Sequence, residues 1–248
     1  MLKFIIICTK AIVIAIVALL FSSCKSSDNY GNSERIDGNK IVKTEDRTPP
    51  KAFTKIEVSR GLSVTVEQAS ESSVVVEADE NLLPHILIKE ENGTLKVTSD
   101  RDMYNFKTRN IKIKVAQIES LSSDSGCSVK SVNTLKGTSL KLHSDSGSTL
   151  EVSAEYDSID ADCDSGSTLK VAGKSLKLKA HSDSGSSLNA RNLLSNDVVA
   201  TSDSGSSLSV HALQSIKASA DSGASIRFSG DPKQVSKSED SGGSVNKE

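Results

Sequence analysis

The chain has 248 residues, a formal charge of −2, no tryptophan and only 3% aromatic residues. That charge balance supplies no basic face for a phosphate backbone, which excludes nucleic acid as a partner. Tyrosine is limited to Tyr30, Tyr104 and Tyr156, so the stacking platforms that sugar sites commonly use are missing.

The first element is a targeting segment. Lys3 and Lys10 precede the apolar run AIVIAIVALLF, which stops at Ser22, Ser23 and Cys24. About a dozen apolar residues fall short of the roughly 20 that span a bilayer, so residues 1–23 read as a signal peptide. Ser22 and Ser23 before Cys24 resemble a bacterial lipobox, which makes Cys24 the expected lipidation site (palmitate) and its lipid the expected membrane contact. Phe21 departs from the usual Leu of that motif, and an ordinary signal peptide with an incidental cysteine is the alternative. Loss of residues 1–23 removes two lysines and moves the formal charge to −4. The expected location is the bacterial cell envelope, lipid-anchored in the outer membrane, with the periplasmic or surface face left open. Residues 24–50 are polar, with few large apolar groups, and are expected to be a disordered tether.

Short alternating segments begin at residue 53: FTKIEV, LSVTVE, SVVVEA, TLKVTS and IKIKVA. Their period of two and β-branched content predict strands, with Gly61 and Gly93 in turns. Residues 53–117 form irregular first coils on this reading.

From 118 to 248 the triplet Asp-Ser-Gly recurs, starting at Asp124, Asp145, Asp164, Asp183, Asp203, Asp221 and Asp240, with spacings of 18 to 21. A period of that length signals a solenoid. Five residues after each Asp stand Val129, Leu150, Leu169, Leu188, Leu208 and Ile226, and five before stand Leu140, Ile159, Leu178, Val198 and Ile216. These offsets are odd, and strand side chains alternate faces, so odd positions line one core and even positions face water. Gly126, Gly147, Gly166, Gly185, Gly205 and Gly223 allow the positive φ of a tight corner, and the preceding Asp can accept from backbone amides. Small residues beside the triplet fit a narrow corner, where serine hydroxyls can bond along the stack. Coils of about 19–20 residues stacked at roughly 4.8 Å make an all-β parallel β-helix, a single domain over 51–248. The last unit, with Lys237 and Glu239 at positions apolar or small elsewhere, is expected to fray or cap the end.

In that order, FTKIEVSRGLSVTVEQ, SVVVEADENLLPHI, NGTLKV, IKIKV and IESLSSDSGCSV resemble the head GIN domain family, described as auto-transporter adhesins and common among envelope lipoproteins of Bacteroidetes. The resemblance covers residues 53 to about 230. It implies a secreted β-helical domain and supplies no catalytic residue to carry over.

The stacked carboxylates Asp145, Asp164, Asp183 and Asp203 are candidate calcium ligands, since calcium accepts carboxylate oxygens flexibly; the plainer reading is a hydrogen-bonded corner, with no metal. His143, Asp162 and His181 share one offset and predict an outward column of a type zinc can accept, but a flat strand face offers neither a fourth ligand nor a supporting shell. Cys127 and Cys163 lie two coils apart, roughly 9 to 10 Å, too far for a disulfide, and read as small core residues. Catalysis is not expected: only Arg191 and Arg227 follow residue 110, and no long loops build a cleft. No cofactor is implied. The sequence therefore predicts an envelope lipoprotein presenting a repetitive surface to a protein or glycan partner, as an adhesin or structural protein. A periplasmic ligand-binding or envelope-sensing module is the alternative, and a polysaccharide-active enzyme is third.

Overall fold

The computed structural model describes residues 34–49 and 51–248, and almost every element in them is a β-strand. The signal segment and Cys24 lie outside the described residues. Among the described residues no helix is long and apolar enough to cross a membrane.

In chain order the strands are β1 (Arg35–Asp37), β2 (Val42–Asp46), β3 (Lys55–Val58), β4 (Ser63–Gln68), β5 (Ser73–Asp79), β6 (Ile86–Glu91), β7 (Thr94–Ser99), β8 (Asp102–Tyr104), β9 (Arg109–Val115), β10 (Ser120–Ser123) and β11 (Ser128–Ser131). One 3₁₀ helix, Glu80–His85, separates β5 from β6. There follow β12 (Leu135–Ser144), β13 (Thr149–Cys163), β14 (Thr168–Ser182), β15 (Ser187–Ser202), β16 (Ser207–Ala220), β17 (Ser225–Ser229), β18 (Gln234–Glu239) and β19 (Ser244–Lys247).

The regular coils follow from the alternation. In β13 the buried set runs Leu150, Val152, Ala154, Tyr156, then Ile159, Ala161, Cys163, with Asp157 and Ser158 both exposed between. Two successive outward residues shift the phase by one, so the chain must turn there for both runs to face the same core. That is the second corner of each coil, opposite Asp-Ser-Gly in sequence. Parallel pairing keeps like residues stacked: Leu150 opposes Leu169, Leu169 opposes Leu188 and Leu188 opposes Leu208. The odd-offset residues are buried and the even-offset lysines exposed, as the repeat predicts. Coil-length differences fall as register shifts between Lys170 and Ala172, Ala190 and Leu194, and Ser195 and Asp197. This is a parallel β-solenoid.

The first coils do not stack in chain order. β3 lies between β7 and β10, and β4 between β9 and β11, so the coil formed by residues 94–115 sits outside the one formed earlier in the chain. β5 then runs antiparallel along β9, β6 antiparallel along β7, and β2 antiparallel along β5, which closes this end of the stack.

This end corrects the expected tether. Residues 34–49 are not a free linker, because β2 ladders onto β5 and β1 pairs with β8. Their polar composition misleads because hydrogen bonds, not apolar burial, hold them. Arg47 donates to the Ile86 and Leu83 carbonyls at 2.6 and 2.8 Å, and the Val74 amide donates to the Thr48 hydroxyl at 3.0 Å. The fully buried Asp79 carboxylate accepts from the amides of Lys40 (2.8 Å), Lys107 (3.0 Å) and Thr108 (3.1 Å). Burial pushes its pKa up, but those amides and the Lys40 charge outweigh burial and hold it below the ordinary carboxylate value.

At the other end β18 is exposed along its length and pairs with β16. Lys237, at an inward offset, places its ammonium 5.0 Å from the centroid of the buried Phe228 ring and donates to the Val245 carbonyl at 3.0 Å. Glu239 accepts from the Val245 amide at 2.6 Å. Inward charges on a terminal coil cover the core and discourage another strand from adding.

Candidate interaction surface

Three surfaces repeat along the stack, and the first is the Asp-Ser-Gly corner. Each triplet forms a tight turn closed by a bond from the residue after Gly to the Asp carbonyl, at 3.1 Å for Ser148 to Asp145 and 3.0 Å for Ser186 to Asp183. Both central residues have positive φ, with Ser at 45 to 53° and Gly at 67 to 81°, as in a type I′ turn. The glycine half was legible in the sequence; the left-handed serine was not, although a two-residue turn of this type demands both. Asp offsets part of that strain by accepting from the amide of the following Ser, at 2.6 Å for Ser146 and Ser165 and 2.5 Å for Ser184. Each Gly amide from Gly126 to Gly223 donates to the Ser carbonyl of the next coil, as from Gly147 to Ser165 at 3.1 Å.

Inside the corner, serines bond along the stack. Ser148, Ser167, Ser186 and Ser206 donate to the carbonyls of Ser123, Ser144, Cys163 and Ser182 at 2.6 to 2.7 Å. Ser123 has no partner for its buried hydroxyl among the described residues, because Cys127 stands where the next four coils have serine. Cys127 and Cys163 are free and buried, and burial pushes both thiols up.

Each Asp candidate thus engages one carboxylate oxygen within the turn. The Ser165 hydroxyl holds the Asp145 carboxyl below the ordinary value, with the Ser146 amide and His143 assisting against burial. The Ser204 hydroxyl does the same for Asp183, together with the Ser184 amide. Among the described residues no group of three or more His, Cys, Asp or Glu side chains is placed to hold a metal ion. His143 contacts Asp162 at 3.2 Å, but His181 turns to the Thr201 hydroxyl at 2.9 Å.

The second surface is the outward face that follows the corner. Ser128, Thr149, Thr168, Ser187, Ser207, Ser225 and Ser244 stack in register on seven consecutive coils, half-buried to exposed. Beside them run Lys130, Glu151, Lys170, Asn189, Ser209 and Arg227. Hydroxyls therefore recur at roughly the 4.8 Å strand spacing, next to a polar and charged column.

The third surface lies along the second corner and escaped the repeat analysis. Leu176 (52% exposed), Leu194 (38%) and Leu213 (43%) line one groove of about 460 Å³ with Gly137, Tyr156 and Asp157. Its sequence signal was the apolar residue recurring where alternation slips phase. Gly137 and Tyr156 also line an adjoining hollow of about 680 Å³ that holds Lys55, Lys136 and Lys141. Tyr156 is the large residue among small ones at this corner: its ring passes beneath Gly137 and its hydroxyl donates to the Ile118 carbonyl at 2.8 Å. Burial pushes its pKa up to about 12.

A stacked parallel solenoid with repetitive outward columns defines a surface-presenting β-protein. The family model described as "Putative auto-transporter adhesin, head GIN domain" matches residues 52–232, and the chain belongs to that family. No curated protein matches it. Among solved structures, a putative adhesin from Bacteroides fragilis has a TM-score of 0.80 at 22% identity, covering 86% of this chain and 100% of that one. A putative lipid binding protein from Parabacteroides distasonis has a TM-score of 0.72 at 19% identity, covering 87% and 100%. A putative adhesin from Parabacteroides merdae has a TM-score of 0.64 at 18% identity, covering 87% and 99%. These likenesses concern the fold.

Proposed function

We propose that the chain is a cell-envelope lipoprotein, anchored to the outer membrane through acylated Cys24, whose solenoid adheres to a protein or glycan partner. The in-register hydroxyl column from Ser128 to Ser244 supports this reading, because a partner with its own regular repeat meets the same donor and acceptor on coil after coil. Many weak identical contacts then add as avidity without a closed pocket. The reading assigns no catalysis, no cofactor and no metal. The test has two arms. Cell fractionation of the full chain and Cys24→Ala should find the first in the membrane and the second released, and labelled palmitate on the variant would overturn the anchor. Residues 25–248 applied to protein-coated surfaces and a glycan array should bind repeating polymers, with loss when Thr168, Ser187 and Ser207 are replaced by Glu.

A second reading, an envelope ligand-binding module, is favoured by the apolar groove at the second corner. The Parabacteroides distasonis relative, described as lipid binding, shares the fold on which that groove is built.

A further inference from the structure

We propose that the second-corner groove binds a long-chain fatty acid, its alkyl chain along Leu213, Leu194 and Leu176 and its carboxylate between Lys141 and Lys55. This deepens the ligand-binding reading and rests on it.

Three large apolar side chains on consecutive coils are exposed together in one groove, whereas the even-offset positions of both faces are mostly polar. Isolated exposed leucines need no explanation, but three that border one groove do. The two hollows adjoin at Gly137 and Tyr156, which line both, and a side chain at position 137 would meet the Tyr156 ring at 2.6 Å. The groove can therefore run from the Leu213 coil to the Lys141 coil, four strand spacings or roughly 19 Å, which suits an extended long-chain acyl group.

Charge fixes the direction. Lys55 and Lys141 flank Ser120 on adjacent rungs, and among the described residues neither has a carboxylate within ion-pair distance. Lys136, nearby, is already paired with Glu155 at 3.0 Å. Glu119 shares this hollow and accepts from the Thr54 hydroxyl at 3.1 Å, which leaves two unpaired lysines against one carboxylate. The apolar stretch is lined by Glu155, Asp157 and Lys174, so it carries no net positive charge and holds an anionic head less well than the lysine hollow. A neutral or dipolar head would gain nothing from this arrangement, so a free carboxylate is favoured over a phospholipid head.

The test is calorimetric titration of residues 25–248, which contain the whole unit Arg35–Glu248, with palmitate and with palmitoyl lysophosphatidylcholine. Palmitate should bind one to one. Leu176→Asp and Leu213→Asp, both at exposed positions, should weaken it about tenfold or more while melting like the parent. The Lys55→Gln, Lys141→Gln double variant should weaken palmitate severalfold and leave the lysophospholipid unchanged. Absent palmitate binding, or binding indifferent to Leu176→Asp, overturns the proposal. A fluorescent apolar dye separates the two levels: a dye bound at the groove, lost in Leu176→Asp but not displaced by palmitate, overturns the fatty acid and keeps the module. No dye binding at all overturns both.

Discussion

The Ser165 hydroxyl faces the carboxylate of Asp145, one coil earlier, and is the largest influence holding Asp145 below its ordinary pKa of 3.8. Asp183 stands in the same relation to Ser204. A carboxyl with a depressed folded pKa contributes stability above its unfolded pKa and loses it as pH falls through the folded value. The melting temperature should therefore hold from neutral pH to about pH 5 and fall below about pH 4. Both residues are only half-buried at the surface, so solvent screening keeps each contribution small. Ser165→Ala and Ser204→Ala should lower the neutral-pH melting temperature and shrink the acid drop; an unchanged drop would show that these hydroxyls do not set the linkage.

Leu169 is fully buried between Leu150 and Leu188, and Lys170, the next residue, points to water. Leu169→Ala should cost about 2 to 5 kcal/mol in denaturant unfolding. Lys170→Ala should cost less than about 0.5 kcal/mol. Equal losses would contradict the register.

The register was legible because the repeat supplies several copies of one alternation, so chance polar residues at single positions could not hide the odd-offset core. Cys127 and Cys163 were placed correctly by the same counting. Three features lay outside that signal. β2 is held by ladder bonds and by Arg47 on carbonyls, which no apolar pattern encodes. Asp79 looks like any strand-end acid until the Lys40, Lys107 and Thr108 amides converge on it from two separate loops. Leu176, Leu194 and Leu213 sit at different offsets from their triplets because coil lengths vary just there, so numbering from Asp did not show that the three border one groove.

Ser184 has φ of 52°, a conformation costly for most residues with a Cβ. Asn tolerates this region and a β-branched side chain does not, so Ser184→Asn should change stability little while Ser184→Val should cost about 1 to 3 kcal/mol. Thermal or urea melts of the two variants check it. Matching losses would mean that the hydroxyl, not the backbone, determines the residue at this turn.

The stacked aspartates pose the last question, because like charges at roughly 4.8 Å repel by about 0.9 kcal/mol per pair in bulk water, and more near a protein surface. Against this, the Asp164, Asp183 and Asp203 carboxylates accept from the next residue's amide at 2.5 to 2.6 Å. Hydrogen bonds to a charged acceptor contribute about 1.5 to 3 kcal/mol, against about 1 for a neutral one. The two effects are close, with the hydrogen bonds ahead where water screens the repulsion. Asn at all three positions keeps an acceptor and removes the charge. The triple variant should therefore melt slightly below the parent at neutral pH. Millimolar calcium should shift neither protein, since the turn engages one oxygen of each carboxylate and, among the described residues, no group of three or more ligating side chains surrounds them. A triple variant more stable than the parent at neutral pH would mean that repulsion dominates the column; a calcium shift in the parent that disappears in the variant would mean that the cation, and not the amides, balances it.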